Sequence, residues 1–555
     1  MKTTPLPTFL HKPQFWLAAA LVVVALAARL LPGPRTIDDA FITFRYARNL
    51  LAGNGFTFNP GEAVLGTTTP LYTLLMAGLG ALTGGVNAPF PALAMGVNAL
   101  ADAATCLLLV WLGKRAGGRY TGWATAAGWA VAPFSVTFAI GGLETSLYVL
   151  LLTATVAAAL SGRRVLEAAL AALALLTRPD ALILLGPLAV ERLISYFSSE
   201  NRSKNKISND ALASGQLGPL AQKRSIFGFS SDSRSKNQIL KEVLAFGLPV
   251  LAWGVFATLT FGSPLPNSIL AKAAAYRLEP NAGLIRLIQH YATPFMEQTS
   301  LGDSTAIAVG IVLNPFLFIL GALKGWRTDH RLLSWILYPL LYLVTFALPN
   351  ELIFRWYLTP PLPAYFLFIT LGLEMILEKL FKLLPKRVNI QWRSYGVLAL
   401  LLITPLSTTL PAWVLHPDHG PDQVAPDMAF IKLELLYRQA AARVAPLMDA
   451  HTLLAAGDVG VLGFYTPARI LDTVGLNSPV STRYYPLPPE QYVINYAIPA
   501  QLILDNRPDF VVILEVYGRN TLLKSPDFLR QYHLLEKLDT DIYGSDGLLI
   551  FQRNP

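Results

Sequence analysis

The chain has 555 residues, of which 53% are hydrophobic and only 14% charged, with a formal net charge of +9 and a mean hydropathy of +0.45. About a quarter of the residues of an ordinary soluble domain are charged, so this composition excludes a soluble globular enzyme and predicts a polytopic α-helical membrane protein. The basic excess does not imply nucleic acid as a partner, because much of it lies in short loops between apolar runs, where it orients spans.

The first apolar run, 15–31, is long enough to cross a bilayer. It is not read as a cleaved signal peptide, since no small-residue cleavage motif follows and more spans come after. Lys2, His11 and Lys12 precede it and place the N-terminus in the cytoplasm. Asp38 and Asp39 then fall outside, where a first external loop covers 33–67. They open an amphipathic segment, DDAFITFRYARNLLAGNG, predicted to be a helix lying flat in the interface and capped by Asp38 or Thr36. On such a helix Asp38 and Arg45 share one face, and Asp39 and Tyr46 another.

Apolar segments 68–84 and 90–112 lead to cytoplasmic Lys114 and Arg115. Segments 120–140, 145–160, 165–177 and 181–197 then alternate across the membrane, which leaves Glu144, Arg178 and Asp180 outside. The polar stretch 198–240, rich in Ser, Asn, Lys and Arg, is expected to be a disordered cytoplasmic loop. Beyond it, 242–261 crosses out to a loop carrying Asn267 and Lys272, followed by a helical LIRLIQHYA. Segments 304–323 and 332–348 reach a further external loop with Arg355, Trp356 and Tyr357, and 361–380 and 394–413 complete the bundle. Roughly 10–13 spans are expected in all. Residues 414–555 are more polar: one helical stretch precedes the strand-like runs HTLLAAG, ARILDTVG, DFVVILEV and GLLIFQR, predicting a small extracytoplasmic α/β domain. The single cysteine, Cys106, permits no intrachain disulfide.

Two adjacent carboxylates where a span meets water are costly to place for packing alone. Glu144, Arg178, Asp180, Asn267, Lys272, Arg355, Trp356 and Tyr357 come from other loops of the same side. That set suits transfer of a group from a lipid-linked phosphate. A carboxylate takes the proton of an acceptor hydroxyl, arginine and lysine hold the departing phosphate, and aromatic rings face the sugar. A second acidic group either binds a divalent ion or steers the acceptor, which makes Asp38, Asp39 and Glu144 the set for any metal. There is no Walker-type nucleotide loop.

At these residues the chain resembles the membrane-embedded GT-C fold glycosyltransferases. The resemblance rests on Asp38 and Asp39 with Phe58-Asn59-Pro60-Gly61, on Gly142-Leu143-Glu144-Thr145, Thr177-Arg178-Pro179-Asp180, Pro266-Asn267 with Lys272, and Arg355-Trp356-Tyr357. It extends into the tail at Gly457-Asp458 and Asp472. It is closest to the branch containing the mycobacterial terminal arabinofuranosyltransferase. Two departures are Gly66-Thr67-Thr68-Thr69-Pro70, where an aromatic residue is common, and Asp180, where glutamate is more usual. The resemblance implies a GT-C-like module over 1–413 and the tail domain over 414–555. It further implies an inverting transferase that moves arabinofuranose or a hexose from a polyprenyl-phosphate carrier to a cell-envelope glycan, lipid or protein acceptor. Asp38 and Asp39 become its catalytic candidates. Arg45, Tyr46, Glu144, Arg178, Asp180, Asn267, Lys272, Arg355, Trp356 and Tyr357 become its substrate-binding candidates. The competing reading is a transporter or flippase of lipid-linked glycans, against which stands the gathering of ionisable residues at one interface.

Overall fold

The computed structural model describes residues 13–194, 220–295, 303–350, 352–385, 389–415 and 422–555. Apolar runs become helices near the expected positions, with ends shifted by up to five residues: Pro13–Leu30, Phe90–Arg115, Thr145–Leu160, Asp303–Thr328, Leu333–Ala347 and Ile390–Thr409. Among the described residues six helices are long and apolar enough to cross a membrane. A bent pair, Thr121–Val131 and Pro133–Ile140, which meet at 46°, makes a seventh if the two are counted as one span. The bend has a local cause, because Pro133 drives Ala132 into extended geometry. The sequence count of roughly 10–13 takes in shorter apolar helices such as Pro70–Thr83 and Thr145–Leu160. Pro70–Thr83 rises about 21 Å and Phe90–Arg115 about 39 Å, so only the second matches the hydrocarbon thickness.

The outer helices carry their apolar side chains outward. Only 6% of the window Asn237–Phe261 is buried inside the protein, and Leu259 is 82% exposed, a surface suited to lipid. The expectation of disorder over 198–240 falls partly on 195–219, outside the described residues; from Leu220 the backbone is helical through Phe261.

Inside the bundle lies an ion pair that the hydropathy pattern does not announce. Arg29 Nε donates to Asp102 Oδ2 at 3.0 Å, and both side chains are fully buried. Trp129 Nε1 and Ser146 Oγ also donate to this carboxylate, at 3.1 and 2.8 Å, while Arg29 donates to the Ala25 carbonyl. Each charge has a partner, which is what a low-dielectric interior demands.

The tail forms a five-stranded sheet. In chain order the strands are β1 (Trp413–Leu415) and β2 (Val424–Pro426), a separate antiparallel pair, then β3 (Leu453–Ala456), β4 (Arg469–Asp472), β5 (Phe510–Leu514), β6 (Tyr532–Leu538) and β7 (Leu548–Arg553). The sheet order is β4-β3-β5-β7-β6. β3 runs parallel to β4 and β5, and β7 is antiparallel to β5 and β6. The central strand β5, FVVIL, is buried at every position, as a strand covered on both faces must be. Four strands coincide with the predicted runs. β6 was not expected: its YHLLEKL pattern is mostly exposed and lacks a clean alternation.

Candidate functional site

The segment after the first span folds as the helix Asp38–Leu51, but it does not lie flat on lipid. Ten of its 14 residues are buried, because the tail domain closes over it. Its N-cap is Ile37, with no side-chain cap bond. Asp38 caps a different helix: its carboxylate accepts from the Gly460 and Val461 amides at 2.9 and 2.7 Å, at the start of Gly460–Tyr465 in the tail. The contact requires glycine, since a Cβ at position 460 would sit 1.8 Å from the Asp38 carbonyl oxygen. The Asp38 amide in turn donates to Glu434 Oε1 at 3.2 Å. Burial pushes the Asp38 carboxyl well up, and the nearby Asp458 adds to the effect.

Arg45 and Tyr46 are likewise consumed by this junction. Arg45 donates to the carbonyls of Phe58 at 2.7 Å and Ala468 at 2.9 Å and to that of Gly463, tying the first loop to the tail. The Tyr46 hydroxyl donates to the Val64 carbonyl at 2.8 Å and accepts from the Gly66 amide at 2.9 Å. Asn267 donates to the Gly475 and Leu476 carbonyls at 2.6 and 3.0 Å, and its amide donates to Leu65. Gly66 packs so closely that a Cβ would lie 2.1 Å from Asn477 Oδ1. The shared face expected for Asp38 and Arg45 is real, and what it faces is the helix Gly460–Tyr465.

Asp39 points the other way, into a cavity of about 500 Å³ that also takes in Glu144, Arg178, Asp180 and Lys272. Trp356 and Tyr357 close one side and Gly66 through Thr69 another. Among the described residues Asp39 and Lys272 make no hydrogen bond or ion pair. The Lys272 ammonium lies over the Phe354 and Tyr357 rings at 4.4 and 5.9 Å. Burial raises the Asp39 pKa, and the charge of Lys272 opposes that rise.

Arg178, in contrast, is saturated. It grips Asp180 with two bonds of 2.9 and 3.1 Å and Glu144 with one of 3.1 Å, while Tyr342 donates to Asp180 at 3.2 Å. Burial pushes the Glu144 carboxyl up against the pull of Arg178. The two carboxylates hold the Arg178 pKa well above its ordinary value despite burial. The triad is a preset wall, with Arg178 stacked on Tyr357 at 4.6 Å.

Arg355 lies outside this cavity and lines two neighbouring ones. The proposed metal set is not assembled, because Asp38 turns to the tail amides. Among the described residues no group of three or more His, Cys, Asp or Glu is placed to hold an ion. Reading the sequence passed over Ser268 and Tyr276, which also line the cavity. Among the described residues the buried Ser268 hydroxyl has no hydrogen-bond partner. Neither residue carries a sequence signal beyond lying beside Asn267 and Lys272.

A family model described as a domain of unknown function (DUF8728) matches residues 430–551. No curated protein matches the chain. Among solved structures, ArnT from Cupriavidus metallidurans bound to undecaprenyl phosphate is similar over 97% of this chain and 98% of its own, with 11% identity and a TM-score of 0.51. The archaeal oligosaccharyltransferase AglB from Archaeoglobus fulgidus, in complex with an inhibitory peptide and a dolichol-phosphate, is similar over 93% of this chain and 72% of its own, with 11% identity and a TM-score of 0.53. At that identity the likeness carries the fold alone. The chain is a multi-pass membrane protein with a GT-C-like helical bundle and a small C-terminal α/β domain.

Proposed function

We propose that this chain is an inverting glycosyltransferase that moves a sugar from a polyprenyl-phosphate carrier to an acceptor outside the cytoplasm. The observation that carries the reading is the meeting, in one cavity, of a carboxylate and an ammonium that make no hydrogen bond or ion pair among the described residues, Asp39 and Lys272, the ammonium resting only over aromatic rings. Asp39 is the general base; its raised pKa brings its basicity closer to that of the hydroxyl proton it must take. Lys272 stands where a phosphate would leave.

The acceptor oxygen attacks the anomeric carbon from the face opposite the phosphate. Its bond to carbon forms as the carbon–oxygen bond to phosphate breaks. The proton passes to Asp39, and the electron pair leaves with the phosphate, beside Lys272. Trp356 and Tyr357 offer faces to the sugar, while Thr67, Thr69 and Ser268 offer hydroxyls. The Glu144–Arg178–Asp180 wall is engaged in its own ion pairs, so its role is to shape the cavity and orient the sugar. Asp38 positions the tail and so stands apart from the chemistry.

Apolar Leu265, Leu270 and Leu348, 69%, 72% and 80% exposed, flank the site and suit a polyprenyl chain. The fold likeness also supports this reading, since ArnT was captured with undecaprenyl phosphate and AglB with a dolichol-phosphate. The resemblance of the first loop leaves arabinofuranose and a hexose as the two sugars to test. Both the cavity and the tail belong, on this reading, to the extracytoplasmic side. The test supplies the chain in nanodiscs with decaprenyl-phospho-arabinose or a polyprenyl-phospho-hexose, and follows release of the sugar from lipid in native membrane extract. Asp39→Asn is expected to abolish transfer while leaving lipid-phosphate binding intact; transfer at the wild-type rate by that variant would refute the base assignment.

A further inference from the structure

A second cavity, of about 700 Å³, lies between the loop helices and the tail domain. It shares Tyr276, Leu352 and Trp356 with the cavity of Asp39, so the two adjoin across those side chains. More than half of its wall comes from the tail, including Glu434, Asp458, Tyr496, Tyr517, Asp541 and Tyr543. The charged groups on it balance: Arg286, Arg355 and Lys432 against Glu434, Asp458 and Asp541.

We infer that this cavity is the acceptor subsite and that it takes a polyhydroxylated glycan segment, with Tyr543 and Tyr276 as its aromatic faces and Asp458 as the hydroxyl acceptor. The inference rests on the transferase reading above. Three features favour a glycan. First, the aromatic rings present faces interleaved with both donors and acceptors, the combination that fits a sugar's apolar C–H face and its rim of hydroxyls. Second, Asp458 is pre-set: Tyr437 and Tyr517 donate to Oδ2 at 2.8 and 3.3 Å, which leaves Oδ1 to accept from a ligand. Third, the cavity meets the donor site at Tyr276 and Trp356, so a hydroxyl at the end of a bound glycan reaches toward Asp39. An acyl chain would find no continuous apolar slot here, because carboxylates and basic side chains interrupt the wall. The volume falls in the range that encloses a drug-sized ligand, enough for a short run of sugar rings.

The experiment places a photoreactive benzophenone amino acid at position 543 of the full-length chain, in the cells that make it. Tyr543 is 59% exposed, so the change leaves the sheet core intact. After irradiation the peptide bearing position 543 is analysed by mass spectrometry, with the exposed position 529 as control. Expected are adducts of pentose or hexose composition at 543 and none at 529. Adducts of protein or phospholipid only, or none above the control, would overturn the subsite. In parallel, binding of decaprenyl phosphate to the purified chain is measured for wild type, Lys272→Ala and Tyr543→Ala. Lys272→Ala is expected to lose it, and Tyr543→Ala to keep it while lowering transfer to endogenous acceptor about tenfold. Intact lipid-phosphate binding without glycan adducts sinks this inference alone. Absence of lipid-phosphate binding in the wild type sinks the transferase reading with it.

Discussion

Adjacent aspartates with opposite fates give the sharpest test. Asp38→Ala removes two charge-assisted bonds to the Gly460 and Val461 amides and leaves both N–H groups buried. At about 1.5 kcal/mol each, the gross loss is about 3 kcal/mol. Relief of the buried carboxylate, with its repulsion by Asp458, returns part of this, so the net cost is about 2 kcal/mol. Confined to the junction, 2 kcal/mol makes opening of the segment 460–466 about 30-fold more frequent. Asp39→Asn loses no hydrogen bond and sheds a desolvated charge, so it leaves that opening unchanged. On the proposed function it removes the general base, so transfer is expected to fall by about 100-fold or more. The assay is amide hydrogen exchange of both variants in nanodiscs beside sugar transfer. Faster exchange at 460–466 in Asp39→Asn, or wild-type protection there in Asp38→Ala, would refute the division of labour.

Asp102→Ala is expected to strand the Arg29 guanidinium inside the bundle and to destabilise the protein by about 3–5 kcal/mol, read as loss of folded protein on detergent titration; Asp102→Asn, which keeps acceptor and shape, falls between. Burial lifts Asp458 to about 6 and Glu434 to about 7, so the folded chain holds these protons more tightly than the unfolded one. Their contribution to tail docking is therefore full below the ordinary carboxylate range and is lost as pH rises through those two values. Tail protection from protease should fall between about pH 4 and about pH 7, and Glu434→Gln should flatten the fall. Asp39 gives the opposite trend in catalysis: its base form grows with pH, so transfer should rise through a midpoint above the ordinary aspartate value. A pH-independent rate would count against it.

Much of the architecture is legible in the sequence because its causes are local. Runs of apolar residues set the helices from 15–31 to 394–413, and a switch to short strand-like runs marks the tail. One periodicity argument also holds, since Asp38 and Arg45 do share a face. What the helical period leaves open is the neighbour that each face meets. Only the tertiary structure turns Asp38, Arg45, Tyr46 and Asn267 into struts for the tail and leaves Asp39 and Lys272 facing a cavity, because their partners lie about 200 to more than 400 residues away along the chain, in the tail. The Arg29–Asp102 pair is hidden for the same reason, since a buried charge is tolerable only when a distant segment supplies its partner; strand β6 is hidden instead because its mostly exposed pattern lacks alternation, although its partner β7 is the next strand along the chain. Composition decides that this chain lives in a membrane; long-range contact decides which of two neighbouring carboxylates is free to act.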